Sequence, residues 1–179
     1  MVRDDARAYQ ATPHPRIRLA PEAYGVIGSV CSVTIGVKAR VRVFAEPRVA
    51  AAAVQVLKER AAVTDVPVFG YCVMPDHVHL VLGPSPSCDI VAFVGQFKNL
   101  AQRAAWRLGV VGAFWQSSFW DHFLRDEEQI ETVVNYVLHN PVRTGIVSHW
   151  QQYPFCGSLT LDLFDDDGSA GDKPPPYQR

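Results

Sequence analysis

The sequence lacks the features that would identify a membrane, secreted or zinc-ribbon protein. No apolar run approaches the roughly 20 residues that a membrane-spanning helix needs. The N-terminal residues, with charges at Arg3, Asp4 and Arg7, lack the apolar segment of a secretory signal. The four cysteines show no C-x-x-C spacing, which favours reduced thiols over a disulfide or zinc framework. We therefore expect a cytoplasmic protein.

The chain also lacks a strong net charge and a Gly-rich phosphate-binding loop, so we expect no nucleotide cofactor. Its 179 residues are 48% hydrophobic and 20% charged, as is typical of a soluble domain with a proper core. The formal net charge is −1, but segment 162–179 carries five acidic and two basic residues, so the preceding part has a net charge of +2. That balance allows a local basic groove without requiring one.

The composition changes along the chain and predicts an arm, one domain and a tail. Residues 1–21 are polar and interrupted by prolines, so we expect a flexible N-terminal arm. Residues 22–160 read as a single domain without internal repeats. Residues 161–179 are acidic and rich in Pro and Gly, and we expect a disordered tail because they cannot bury enough apolar surface.

Within the domain, the apolar pattern predicts the order strand, helix, hairpin, helix, strand, helix. The predicted strands are 30–37, 66–73, 77–83 and 119–124, and the first helix is 47–63. Asp89 is predicted to cap the second helix and Asp126 the third. This order is typical of an α+β fold of ferredoxin-like character, with a four-stranded, mainly antiparallel sheet and helices packed on one face.

The third predicted strand contains the motif His77-Val78-His79. Side chains alternate along a strand, so the two histidines point to one face while Val78 and Leu80 point to the core. Two neighbouring imidazoles form half of a site for a divalent ion. Two partly buried histidines satisfied by hydrogen bonds would give the same pattern, and the motif alone leaves both interpretations open.

The third predicted helix carries a tyrosine and an asparagine at one edge of its apolar stripe. The stripe consists of Ile130, Val133, Val134, Val137 and Leu138. At about 100° per residue, Tyr136 and Asn140 lie about 40° apart on the helix. A packing role for Tyr136 and a helix-terminating role for Asn140 explain them equally well.

Together, these residues suggest a phosphoryl-transfer site. Two imidazoles and one amide oxygen would hold a divalent ion with open positions, and such an ion polarises a phosphate. A tyrosine beside it would attack the phosphorus, with the cation favouring the phenolate. The resulting phosphotyrosine ester would conserve the energy of the broken bond for resealing.

Separated motifs in matching order then identify a family resemblance. They are 70–82 (GYCVMPDHVHLVL), 115–116 (WQ), 121–122 (DH) and 136–147 (YVLHNPVRTGIV). The chain resembles the single-tyrosine HUH transposases and, among them, the REP-associated tyrosine transposases. The likeness covers about residues 15–155.

This resemblance implies a DNA strand-transferase that nicks single-stranded DNA, with hairpin-containing repeat ends as substrate. His77 and His79 would bind the divalent ion, Mg²⁺ or Mn²⁺, and Asn140 would be the third metal ligand. Tyr136 would be the nucleophile, leaving a 5′-phosphotyrosine and a free 3′-hydroxyl. From the residues alone, two imidazoles favour zinc, nickel or manganese. A monomer and a homodimer both remain open.

Single strands are usually held by basic grooves with aromatic stacking platforms. The candidate DNA-binding residues are Arg16, Arg18, Arg40, Arg42, Lys98, Arg103, Trp115 and His122. Among Trp115, Phe119 and Trp120, we expect at least two in the core. Two alternative functions stay open: a non-catalytic protein that binds single-stranded DNA, and a nicking enzyme of the rolling-circle type. A third alternative is an unrelated metal hydrolase, which would not need Tyr136.

Overall fold

The computed structural model describes residues 20–125, 129–161 and 163. The predicted N-terminal arm therefore lies outside the described residues up to residue 19, as does the predicted tail apart from residues 161 and 163. In the described part of the chain, no helix is both long enough and apolar enough to span a membrane.

The described residues form one antiparallel sheet and four α-helices. The strands are β1 (Cys31–Gly36), β2 (Val68–Met74), β3 (His77–Leu82), β4 (Trp120–Phe123) and β5 (Cys156–Gly157), in the spatial order β4-β1-β3-β2-β5. The helices are α1 (Pro47–Thr64), α2 (Ile90–Arg107), α3 (Ile130–Leu138) and α4 (Asn140–Arg143). The predicted α+β class and antiparallel sheet are confirmed. The fifth strand was not predicted, because two residues carry no periodic signal.

One face of the sheet packs against α1 and α2 and forms the larger core. Val33 and Ile35 of β1 and Leu80 of β3 point to this face and are fully buried. Phe93 and Phe97 of α2 fill the space above them. The predicted cap of α2 is confirmed, since the Asp89 carboxylate accepts a hydrogen bond of 2.7 Å from the backbone N–H of Ala92.

The opposite face of the sheet packs against α3, which differs from the prediction that all helices lie on one face. Val134 and Val137 of α3 form a second, smaller core with Cys72 of β2 and Val81 of β3. An apolar stripe shows that a helix covers a surface but not which surface it covers. The strands β2 and β3 are buried on both faces, so each face of the sheet needs a cover.

Gly70 allows α3 to lie close to β2. A Cβ atom at Gly70 would lie 3.0 Å from the Cγ1 atom of Val134, so a side chain here would push Val134 away by a few tenths of an ångström. The helix begins at Ile130 with Gln129 at its N-cap, whereas Asp126, the predicted cap, lies outside the described residues. This contact places α3 over the sheet face that carries the two histidines.

Candidate active site

The two histidines lie on the sheet face that α3 covers, opposite two small residues of β1. In the β1–β3 register, Thr34 pairs with His79 and Gly36 pairs with His77. Val37 and Asp76 form the next pair along the two strands. The backbone N–H of Val37 donates to the carbonyl of Asp76, so this pair is of the hydrogen-bonded type. Hydrogen-bonded and non-hydrogen-bonded pairs alternate in antiparallel sheets, so both histidine pairs are of the non-bonded type, whose side chains lie closest.

Each imidazole is held through its Nδ1 atom. The Nδ1 atom of His79 lies 2.9 Å from the hydroxyl of Thr34, and that of His77 is hydrogen-bonded to the carboxylate of Asp76. The two Nε2 atoms therefore point toward each other and lie 3.0 Å apart. His79 is buried and His77 is partly exposed, so the site opens to solvent on the His77 side.

The histidine pair fits a divalent cation. Two ligands at right angles, each about 2.1 Å from an ion, lie about 3.0 Å from each other, which matches the Nε2 separation. Metal-binding histidines usually make a second hydrogen bond through the other ring nitrogen, as both do here. The described residues contain no group of three or more His, Cys, Asp or Glu side chains that could hold a metal.

The electrostatic environment keeps His79 neutral. Burial, together with the charges of His77 and Arg143, lowers the pKa of the His79 imidazole to about 3. At neutral pH the ring is therefore uncharged, as a metal ligand must be. The dependence on Arg143, a residue of α4, also shows that α4 lies near this part of the sheet face.

Tyr136 lies on α3, half-buried, beneath the side chain of Arg143. The guanidinium carbon of Arg143 is 3.7 Å from the centroid of the Tyr136 ring, a cation–π contact. The same side chain donates a 2.7 Å hydrogen bond to the backbone carbonyl of Tyr136. Arg143 thus contacts the candidate nucleophile while its charge acts on His79. The sequence motif 136–147 includes this arginine, but its spacing alone did not indicate its role.

Asn140 is the first residue of α4, one turn after Tyr136. Its amide nitrogen donates to the carbonyl of Val137 at 3.0 Å and more weakly to that of Tyr136 at 3.5 Å. The helix-terminating role expected for an asparagine before a proline is therefore present. Both bonds use the amide nitrogen, so the amide oxygen is the atom suited to ligate a cation.

Gln116 is a site residue to which the sequence motifs assigned no role. A Cβ atom at Gly36 would lie 2.7 Å from its Oε1 atom, so the amide of Gln116 covers the space beside Gly36. Gly36 faces His77, and Gln116 therefore lies next to this histidine. The sequence feature that could have indicated this contact is Gly36, a glycine at a strand position whose side chain would otherwise face the site.

The predicted basic residues are spread over different surfaces. Arg16 and Arg18 lie outside the described residues. Arg40 is exposed and lies 3.8 Å from the Asp76 carboxylate that also holds His77. The ammonium of Lys98 donates to the backbone carbonyl of Gln116 at 2.7 Å, which brings Lys98 near the residue that lies beside His77. Arg42 follows β1 and is exposed.

Two other candidates differ in where they lie. His122 of β4 pairs with Ser32 of β1, two residues from Thr34, so it lies on the same face as His77 and His79. Arg103 is exposed on α2, which packs on the opposite face of the sheet. Arg103 is therefore not brought together with the histidines.

The structure does not support a stacking role for Trp115. This ring is 6% exposed and packs against Phe44, Phe97 and Phe114. Its Nε1 atom donates to the carbonyl of Lys98 at 2.8 Å, so the polar edge is satisfied within the protein. A fully packed indole cannot offer its face to a base, and we correct the prediction for this residue.

Comparison with known proteins finds one family model and related proteins that match this chain. The family model described as "Transposase IS200 like" matches residues 29–140. A Haemophilus influenzae protein provisionally assigned as a REP-associated tyrosine transposase is 24% identical over 110 residues, covering 54% of this chain and 62% of that relative. The REP-associated tyrosine transposase of Escherichia coli K12 is 26% identical over 113 residues, covering 58% of this chain and 67% of that protein.

A solved structure shows the same fold. The structure of a REP-associated tyrosine transposase bound to a REP hairpin aligns with a TM-score of 0.60 at 19% identity. The alignment covers 85% of this chain and 96% of that one. The first relative, by contrast, is matched over less than two thirds of its length.

Proposed function

Because the chain belongs to the IS200-like transposase family, we propose that it nicks and rejoins single-stranded DNA through a covalent bond to Tyr136. The proposed substrate is a strand end that carries a hairpin, by analogy with the relative whose structure contains a REP hairpin. We also propose that the protein acts in the cytoplasm, on chromosomal DNA, as a monomer or homodimer.

The observation that carries this proposal is the convergence of the His77 and His79 Nε2 atoms on the face covered by α3. Their spacing and their outer hydrogen bonds suit Mg²⁺ or Mn²⁺, with the amide oxygen of Asn140 as a third ligand. When bound there, the cation neutralises charge on the scissile phosphate. A non-catalytic binding protein would not need two imidazoles held in this geometry.

The chain's own residues perform the remaining steps. The Tyr136 oxygen forms a bond to phosphorus and gives its proton to water, the bond from phosphorus to the 3′ oxygen breaks, and that oxygen takes up a proton from water. Arg143 orients the ring through its stacking contact and its bond to the Tyr136 carbonyl. Rejoining is the reverse reaction with another 3′-hydroxyl, so no nucleotide cofactor is consumed.

The test is the detection of a protein–DNA adduct. The protein is incubated with Mn²⁺ and a labelled single-stranded oligonucleotide that carries a hairpin, and the products are separated by denaturing electrophoresis. We expect a covalent adduct that disappears in Tyr136→Phe, in His77→Ala and after chelation of the metal. Tyr71→Phe is the matched control, because Tyr71 packs in the larger core on the opposite face.

Three outcomes separate the alternatives. Strand cleavage that survives Tyr136→Phe would contradict the proposal and favour a metal hydrolase. Tight binding of the oligonucleotide without cleavage or adduct would favour a non-catalytic binding protein. Loss of the adduct in Tyr71→Phe as well would mean that the assay reports folding rather than chemistry.

A further inference from the structure

The edge strand β4 presents a tryptophan to the sheet face that carries the histidines. Trp120 pairs with Thr34 in the β1–β4 register, and Thr34 pairs with His79 in the β1–β3 register. Directly paired residues project to the same face of a sheet, so the three side chains form one row across three strands. Neighbouring strands are about 4.8 Å apart, which places the Trp120 backbone about 10 Å from that of His79.

Trp120 is exposed, unlike most large aromatic residues of this domain. It is 59% exposed, whereas Trp115, five residues earlier, is 6% exposed. What distinguishes this exposed ring is its position, because it lies in the same row of side chains as Thr34 and His79. The sequence pattern placed at least two of Trp115, Phe119 and Trp120 in the core, and Trp120 is the one left at the surface.

The surroundings of Trp120 suit a flat ligand joined to phosphate. The residue between Trp120 and His79 is Thr34, whose short side chain is hydrogen-bonded to the His79 ring. His122 lies on the same face two residues along β4, and exposed Arg125 follows that strand. Proteins that bind single nucleic acid strands stack the bases on aromatic rings of this kind.

We propose that Trp120 is a base-stacking subsite that holds a nucleotide flanking the scissile phosphate, and thereby helps to determine which strand position is cut. This inference rests on the proposed function, because it assigns a place to the DNA next to the bond that Tyr136 attacks. When a phosphate of the DNA strand lies at the two histidines, the neighbouring bases lie within the roughly 10 Å that separates Trp120 from His79. Phosphate contacts position a strand, and contacts to bases select the position.

The experiment measures binding of hairpin-containing single-stranded oligonucleotides in a Tyr136→Phe background, so that cleavage does not interfere. Each oligonucleotide carries an abasic residue or a 2-aminopurine at one position near the cleavage site. We compare Trp120, Trp120→Phe and Trp120→Ala. Trp106→Ala is the matched control, since Trp106 is 47% exposed on α2, at the opposite face.

We expect Trp120→Ala to raise the dissociation constant about 5- to 100-fold, the range expected for the loss of one stacked base. Trp120→Phe should restore most of the affinity, and Trp106→Ala should leave it unchanged. An abasic residue at one flanking position should weaken binding by the protein with Trp120 but cause no further loss in Trp120→Ala. The fluorescence of 2-aminopurine at that position should be quenched by the proteins with Trp or Phe at position 120 and not by Trp120→Ala. A merely structural residue would not show this coupling to one position.

Other outcomes would overturn the inference. Equal binding by Trp120→Ala, or a loss that no single abasic position reproduces, would show that the ring does not stack on a base. A change from dimer to monomer in Trp120→Ala, seen by sedimentation without position-specific coupling, would assign the ring to contact between copies of the chain. Failure of the proposed function is separate, because it would appear as an absent adduct in the wild-type protein even if the coupling at Trp120 were found.

Discussion

Gly36 lies directly opposite His77, and the space left by its missing side chain is occupied by the amide of Gln116. The main chain supports this arrangement, since the N–H of Gln116 donates to the carbonyl of Gly36 at 2.9 Å. The side-chain nitrogen of Gln116, Nε2, donates a weaker hydrogen bond to the carbonyl of Val37 at 3.4 Å. A single glycine therefore determines what lies beside the more exposed of the two histidines.

We predict that Gly36→Ala impairs the reaction much more than it impairs folding. The new Cβ atom would lie 2.7 Å from Oε1 and 2.8 Å from Cδ of Gln116, at the end of a flexible side chain that can rotate away. We expect adduct formation or metal affinity to fall about 10- to 100-fold, as for the loss of an outer contact to a metal ligand. Rates of adduct formation and isothermal titration with Mn²⁺ provide the measurements.

Gly95→Ala is the control for this substitution. Gly95 lies within α2, and nothing lies within 4 Å of a Cβ atom built there. Removing a glycine from a helix interior should raise the free energy of unfolding by about 0.5–1 kcal/mol and leave adduct formation unchanged. A wild-type rate in Gly36→Ala would show that the amide of Gln116 has no part in the site.

Cysteine reactivity provides a second test at this scale. Burial, together with the charge of Asp121, raises the pKa of the Cys31 thiol to about 12. In contrast, a hydrogen bond from the Cys72 thiol lowers the pKa of Cys156, which is only half-buried. The thiolate is the reactive form, so near pH 8 iodoacetamide should alkylate native Cys156 well before Cys31.

Peptide mass spectrometry at successive times would measure both alkylation rates, and the same reaction in denaturant should label the two cysteines at similar rates. As pH rises from about 9 toward 12, the unfolded chain loses the Cys31 proton before the folded chain does, so this residue's contribution to stability is lost in that range. Equal labelling of Cys31 and Cys156 in the native protein would contradict the burial described for β1.

At the scale of elements, the position of α3 depends on a close contact with β2. A Cβ atom at Gly70 would lie 3.0 Å from Cγ1, 3.2 Å from Cγ2 and 3.4 Å from Cβ of Val134. Unlike the Gln116 amide, these atoms belong to a short, branched side chain in a packed core, so rotation cannot relieve the overlap. The helix itself would have to move, and Tyr136 lies on that helix.

We therefore predict that Gly70→Ala lowers both stability and activity. Overpacking a core usually costs about 1–3 kcal/mol, which urea unfolding would measure. Adduct formation should fall because the displaced α3 carries Tyr136 away from the histidines. The double variant Gly70→Ala with Val134→Ala makes room for the new methyl group and should recover part of the activity. If the single variant retained full activity, the distance from β2 to α3 would not matter for the reaction.

The sequence predicted the pairing of His77 with His79 because alternation along a strand depends only on the backbone. It could not predict which face α3 covers, since the same apolar stripe would suit either face of β2 and β3. The sequence also did not show which of Trp115 and Trp120 is exposed, and the prediction that Trp115 contacts DNA was wrong for a related reason. Both are tryptophans next to apolar residues, and only the pairing of β4 with β1 shows that Trp120 lies at the exposed edge.

At the scale of the whole molecule, the sheet separates two different surfaces. One face is closed by α1 and α2 over the larger core, and the other carries the histidine site beneath α3. The acidic segment at the C-terminus lies mostly outside the described residues, but its charge acts on any approaching DNA. A chain of net charge −1 must bind a polyanion through a local surface, against weak repulsion from the rest.

We predict that replacing Asp165, Asp166 and Asp167 with Asn, which takes the formal net charge from −1 to +2, strengthens binding of single-stranded DNA at low salt. We expect an increase of about 3- to 10-fold in affinity near 0.05 M salt, since charges about 10 Å away are only partly screened there. The difference should vanish toward 1 M salt, where the screening length is about 3 Å. Fluorescence anisotropy across a salt series would measure it, with Asp65→Asn as a control for one exposed carboxylate on the far side of the sheet. A gain that persisted at high salt would mean that the acidic segment obstructs the DNA site directly rather than by charge.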